Sequence, residues 1–268
     1  MPATAQPTPK RIFQADALSV EVYATLEDMA VAAAHAAHAH LIKAVAQQGQ
    51  AAAILASAAS QVKFLDELTG LPGLDWSRVT LFHMDEYLGI SADHPASFRR
   101  FLRERVEQCV RPRRFHYVGG EAPLPLDECA RYARLLEVQP IDLCCLGIGE
   151  NGHIAFNDPS VADFADPHAV KIVKLDEACR RQQVGEGAFP SLEAVPQFAY
   201  SLTIPALCSA RKLICVVPEK RKAQAVKNAL QGPISTTCPA SVLRRQAHCT
   251  LYLDSESASL LDAGSLNR

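Results

Sequence analysis

The chain has 268 residues, about half hydrophobic and a fifth charged, with a formal net charge of −2. No basic field favours nucleic acid or an acidic membrane, no apolar run reaches the ~18–20 residues of a membrane span, and the length permits a sizeable core in one large or two small domains. Nine cysteines, an odd number with no C-x-x-C, predict a reduced, cytoplasmic protein without a disulfide framework or zinc knuckle.

Residues 1–15 begin Pro/Thr/Ala-rich and lack the apolar segment of a secretory signal, so a disordered tail is expected. Ser19 to Thr25 alternates and predicts a strand. Thr25-Leu26-Glu27-Asp28 offers a capping box for an Ala-rich helix to about Gln48. His35, His38 and His40 lie on that helix at spacings that do not share one face, which argues against a metal site. Ala51 to Ala56 predicts a short strand, and Ser57-Ala58-Ala59-Ser60-Gln61 links it to a helix ending near Leu68. A strand, a small-residue loop and a helix N-terminus can cradle an anion, because the first-turn N–H groups are free.

Val79 to Phe82 predicts the next strand, which runs into His83-Met84-Asp85-Glu86-Tyr87. Side chains alternate along a strand, so Asp85 and Glu86 should face opposite sides, one toward a cleft. His94-Pro95 opens a basic helix with Arg99, Arg100, Arg103 and Arg105, which reads as a solvated face. A helix is expected over Asp127 to Val138, then a strand over Ile141 to Leu146. Further strands are expected at Val170 to Leu175, Ala199 to Ile204, Lys212 to Val217 and Leu251 to Leu253. Asp176 to Arg181 reads as a turn or helix start. Pro218-Glu219-Lys220 opens a helix over Arg221 to Leu230. A polar tail is expected over 256–268.

Strands alternating with helices predict one α/β domain over 16–255. Its sheet should be doubly wound and mostly parallel, with helices on both faces in a Rossmann-like plan.

The most informative stretch runs from Leu143 to Pro159. An apolar run ends in Gly147, Gly149 and Gly152, and then His153 and Asp158 follow. Glycines let the backbone turn sharply beside a ligand, and groups just past a strand's carboxyl end lie where open α/β sheets bind ligands. Gly147-x-Gly149-x-x-Gly152 also fits a dinucleotide fingerprint. However, His153-Ile154-Ala155-Phe156-Asn157-Asp158-Pro159 does not continue as the helix that fingerprint needs.

Phe82-His83-Met84-Asp85-Glu86-Tyr87, Gly147 to Pro159, the region around Arg180 and the helix containing Lys222 together resemble the glucosamine-6-phosphate deaminase (isomerase) family. That family lies within the superfamily that includes 6-phosphogluconolactonases. The string His153-Ile154-Ala155-Phe156-Asn157-Asp158-Pro159 favours the deaminase side. The resemblance implies a cytoplasmic enzyme of amino-sugar metabolism acting on a small-molecule sugar phosphate, with no cofactor and no metal; a homo-oligomer is left open. It implies Asp85 as the enolisation base, His153 as the ring-opening group, and Asn151 and Asp158 as its partners. It also implies Ser57, Ala58, Ala59, Ser60, Glu86, Arg180 and Lys222 around the substrate and its phosphate.

Three positions depart from the family pattern. Asn151 stands for an acidic residue and can orient His153 only by hydrogen bonding. Asp158 is one methylene shorter than the usual Glu. Ser57-Ala58-Ala59 replaces a Thr-Gly-Gly or Thr-Gly-x loop, and an alanine at φ > 0 would cost roughly 1–2 kcal/mol. The alternatives are a sugar-phosphate lactone hydrolase using His153 and a catalytically weakened sugar-phosphate-binding paralogue.

Overall fold

The computed structural model describes residues 6–262. Continuous apolar runs build a parallel sheet of buried strands. Its strands are β1 (Arg11–Ala15), β2 (Leu18–Tyr23), β3 (Ala51–Leu55), β4 (Val79–His83), β6 (Arg114–His116), β7 (Leu143–Leu146), β10 (Leu213–Val217) and β11 (Cys249–Asp254). From one edge the order is β6-β4-β3-β7-β10-β11-β2-β1. All neighbours are parallel except β1 and β2. The chain steps outward from β3 through β4 to β6, returns to β7, and then steps the other way through β10 to β11. The order therefore reverses between β3 and β7, where doubly wound sheets open a ligand crevice.

Alternate residues of the central strands enter two different cores. Ile54, Cys144, Leu146 and Cys215 pack on one face, and Leu55, Leu143, Cys145 and Ile214 on the other. The second face is covered by α1 (Leu26–Gln48) and α2 (Val62–Gly70). Thr25 caps α1, its hydroxyl accepting the Asp28 amide at 3.1 Å, and Gly49 ends it in the left-handed conformation at φ 76°. The other helices are α3 (Phe98–Leu102), the short α4 (Gln108–Val110), α5 (Pro125–Glu137), α6 (Glu177–Gly185), α7 (Ile204–Cys208) and α8 (Ala223–Gln231). A π-helical turn, Arg103–Glu107, joins α3 to α4, so 98–110 is one continuous rod. No described helix is long and apolar enough to cross a membrane.

The structure differs from the expected plan in several places, among them the unexpected strand β6. Arg11–Ala15 is a strand, not tail, because it pairs in full register with β2 and buries Phe13 and Ala15; residues 1–5 lie outside the described residues. At the other end Ser257 is fully buried, its amide bonded to the Asp254 carboxylate, and 263–268 lie outside the described residues. The runs at Val170 and Ala199 do not join the parallel sheet. As β8 (Val170–Lys174) and β9 (Phe198–Leu202) they form a separate antiparallel sheet with β5 (Asp85–Tyr87), in the order β5-β9-β8. Ile204 opens α7 instead of ending a strand, since the Thr203 hydroxyl caps that helix.

Candidate active site

Four chain segments leaving the carboxyl ends of β3, β4, β7 and β10, together with α6, converge on an open cavity of about 290 Å³. That is close to the lower end of the ~300–1,000 Å³ range of small-molecule sites. Ser57, Ala58, Ala59, Ser60, Asp85, His153 and Lys222 all line it.

Backbone geometry removes one concern about the Ser57 to Ser60 loop. Ala58 is extended, at φ −147° and ψ 159°, and no loop residue has positive φ. Alanine therefore fits without the left-handed penalty. Ser57 is buried and its hydroxyl has no hydrogen-bond partner, although it lines the cavity. Gln61, also buried, donates through Nε2 to the Val216 carbonyl and ties the turn to β10.

After β7 the glycines bring the backbone under His153. A methyl group on Gly149 would lie 2.1–2.4 Å from three atoms of the imidazole, so only glycine leaves room for the ring there. His153 Nδ1 lies 2.7 Å from Asn151 Oδ1 and 3.1 Å from Asp158 Oδ1. Both are acceptors, which places the proton on Nδ1 and leaves the Nε2 lone pair for a bound molecule. Asn151 Nδ2 donates to Asp158 at 2.9 Å, and the Asp176 amide donates to the other carboxylate oxygen at 3.1 Å. Burial opposes ionisation of Asp158, but the His153 contact and these donors outweigh it and hold the carboxyl below its ordinary range. Asp158 is fully buried, and neither it nor Asn151 lines the cavity. Both act on His153 from behind, and the shorter aspartate still reaches because Asn157 anchors the turn. Asn157 donates to the carbonyls of Ile154 and Leu202, while Ala155 takes the rare φ of 50°. Cys179 joins His153 and Asp158 with ligand atoms within 4.8 Å of one another. The imidazole and carboxylate already satisfy each other, which fits orientation of the ring rather than an ion site.

Asp85 and Glu86 face opposite ways, as strand alternation requires. Asp85 lines the cavity and is buried; desolvation, with Glu86 next door, raises its pKa well above the ordinary carboxylate value. Glu86 is corrected from its expected substrate role. Its carboxylate is sealed inside, accepting the Ser97 hydroxyl at 2.7 Å, the amides of Phe98 and Arg99 at 3.1 and 3.0 Å, and Arg99 Nε at 3.2 Å. Glu86 therefore holds the start of α3 and does not line the cavity.

Arg180 is the second correction. Its guanidinium donates to the carbonyls of Leu192 and Val195, outside the cavity lining. Arg181 faces solvent and pairs with Glu177. Helix periodicity instead turns Gln182 and Gln183 of α6 to the cavity. Lys222 is buried and its pKa lowered, first by desolvation and then by Arg221, with the nearby acids opposing. Arg221 pairs with Glu150, Glu186 and Glu219, so those carboxylates are engaged beside Lys222. Sequence reasoning missed Arg105, placed on a solvated face, yet it lines the cavity with Phe98 and Phe101. The spacing 98, 101, 105 is one helical face and was a usable signal.

A family profile described as glucosamine-6-phosphate isomerases/6-phosphogluconolactonase matches residues 24–252. A curated glucosamine-6-phosphate deaminase of Exiguobacterium sibiricum is 38% identical over 188 residues, covering 70% of this chain and 73% of the relative. A solved structure described as a monomeric glucosamine-6-phosphate deaminase superposes with TM-score 0.82 at 30% identity, covering 90% of this chain and 99% of the other. A 6-phosphogluconolactonase from Shewanella baltica shares the fold at TM-score 0.71 and 17% identity, over 88% of this chain and 96% of its own.

Proposed function

The chain belongs to the glucosamine-6-phosphate isomerase/6-phosphogluconolactonase family, and from that premise we propose that it converts glucosamine 6-phosphate and water to fructose 6-phosphate and ammonium. The observation that carries this reading is the sharing of one cavity by a buried carboxylate, Asp85, and an oriented imidazole, His153. An amino-sugar pyranose must open before its C2 hydrogen becomes acidic. His153 Nε2 relays the proton from the C1 hydroxyl to the ring oxygen as the C1–O5 bond breaks. Asp85 then removes the C2 proton and returns it to C1 while a proton passes from the nitrogen to O1, leaving C1 as an alcohol and C2 as an imine. Water adds to C2 and ammonia leaves, giving the ketose.

A base works best when its pKa approaches the working pH, and burial moves Asp85 in that direction. Asn151 and Asp158 act as positioning residues, fixing the tautomer and plane of His153. Lys222 and the Ser57 to Ser60 turn receive the phosphate. We also infer a reducing, cytoplasmic setting, since all nine cysteines are unpaired.

The test is an ammonium-release assay on glucosamine 6-phosphate, with galactosamine 6-phosphate and a 6-phosphogluconolactone in parallel. Ammonium from the first substrate, without lactone hydrolysis, is the expected result. Lactone hydrolysis without ammonium would move the chain to the lactonase class. Tight fructose 6-phosphate binding without any turnover would make it a binding protein.

A further inference from the structure

With Arg180 committed to the Leu192 and Val195 carbonyls, the turn at Ser57 to Gln61 has lost the arginine expected beside it. The guanidinium that does line the cavity belongs to Arg105. It projects from the π-helical turn Arg103–Glu107, a wide turn of a kind found often at functional sites. The rod 98–110 starts on Glu86, beside Asp85, and presents Phe98, Phe101 and Arg105 to the cavity in turn. At 1.5 Å rise per residue, Arg105 sits about 10 Å along the rod from Phe98. It therefore lies beyond the catalytic end, toward α2, where its Nη1 meets Asp66 at 3.4 Å. That contact is long and half-exposed, a weak competitor for a ligand anion. On the other flank of the turn, Gln61 binds the Val216 carbonyl of β10, and the chain beyond β10 carries Lys222 into the cavity. Ser57, which lines the same cavity as both cations, is 94% buried, and its hydroxyl has a proton to donate and no partner.

We propose that Arg105 is the second cationic anchor of the substrate phosphate, gripping it with Lys222 across the Ser57 to Gln61 turn, in the role the sequence suggested for Arg180. The inference rests on the sugar-phosphate reading of the cavity. A guanidinium offers two parallel N–H donors to a phosphate, which a lone ammonium does not. Arg105 touches only the phosphate end, so it governs affinity and leaves the chemistry at C1 and C2 alone.

The decisive experiment pairs steady-state kinetics with calorimetric titration of inorganic phosphate, on the full chain and on Arg105→Gln, Arg105→Lys, Arg180→Gln and Arg100→Ala. Arg105→Gln should raise KM for glucosamine 6-phosphate about ten- to hundredfold at nearly unchanged kcat and weaken phosphate binding to a similar extent. Arg105→Lys should restore part of both, and Arg100→Ala, whose side chain pairs with Glu104 in solvent, should change neither. A wild-type KM and phosphate affinity in Arg105→Gln, or a KM rise confined to Arg180→Gln, would overturn the assignment. A fall in kcat with KM unchanged would also overturn it, by showing a structural role. If the wild-type chain releases no ammonium, the deaminase reading fails while the phosphate titration still decides on Arg105; no phosphate binding by wild type would overturn the subsite itself.

Discussion

His153 shows how much of the site depends on single atoms. Its ring lies where a Gly149 Cβ would be, and its Nδ1–H is shared by Asn151 and Asp158. Gly149→Ala should push the ring off its station without unfolding the chain, because φ there is ordinary. Misplacement of about 1 Å costs roughly 10²-fold in rate, so kcat should fall by about that factor while the circular dichroism spectrum and Tm stay near wild type. Asp85 carries a pH prediction. Its carboxyl is raised by burial; below that raised pKa it is protonated and cannot accept the C2 proton, and above it the base is available. The acid limb of kcat/KM should therefore lie above the ordinary carboxylate range. An acid limb at about pH 4, the value of a free carboxylate, would contradict the assignment. The two positions stood out in the sequence, as a carboxylate ending a strand and a histidine after glycines, and both line one cavity; the roles proposed for them come from the family resemblance.

Helix phase explains the misplaced Arg180. Along α6, Cys179 and Gln183 are buried, which fixes the phase and turns Arg180 toward the 192–195 carbonyls rather than the cavity. A stretch as polar as Glu177-Ala178-Cys179-Arg180-Arg181-Gln182-Gln183 has too little apolar contrast to reveal that phase beforehand. Glu86 was hidden for a different reason: its partners, Ser97 to Arg99, lie 11–13 residues on, a contact made only once the loop folds back. Its role predicts that Glu86→Ala strips Arg99, itself largely buried, of its buried carboxylate partner at the start of α3, leaving it only the Ile90 carbonyl and the half-exposed Glu121. Breaking such a buried pair costs about 3–5 kcal/mol, which should appear as a fall in Tm of roughly 10 °C in a scanning calorimeter. An unchanged Tm would return Glu86 to the substrate side.

Across the whole molecule, the parallel sheet was readable because each of its central strands is a continuous apolar run bounded by a loop. The small sheet β5-β9-β8 was not, since β5 is only Asp85-Glu86-Tyr87 and owes its pairing to distant strands. Nor was β1, an edge strand with only two buried hydrophobic residues. The sheet's reversal between β3 and β7 sets the Ser57 turn and the Gly147 to His153 turn side by side, and the 82–87 corner brings Asp85 to them. Folding is linked to this site through Asp158. Its carboxyl is held below its ordinary value in the folded state, so the stability it contributes is present above the unfolded carboxylate pKa and is lost as pH falls through the folded one. Asp158→Asn should accordingly flatten the acid limb of a urea-unfolding series run from pH 6 downward; a slope as steep as wild type would show that Asp158 is not a source of the acid sensitivity. The most direct test of the central claim, that Asp85 is the base facing an imidazole across one sugar-phosphate cavity, is ammonium release by wild type and Asp85→Asn on glucosamine 6-phosphate, with fructose 6-phosphate binding measured on both. Loss of at least 10²-fold in turnover with binding retained is the predicted result, and unchanged ammonium release by Asp85→Asn would contradict it.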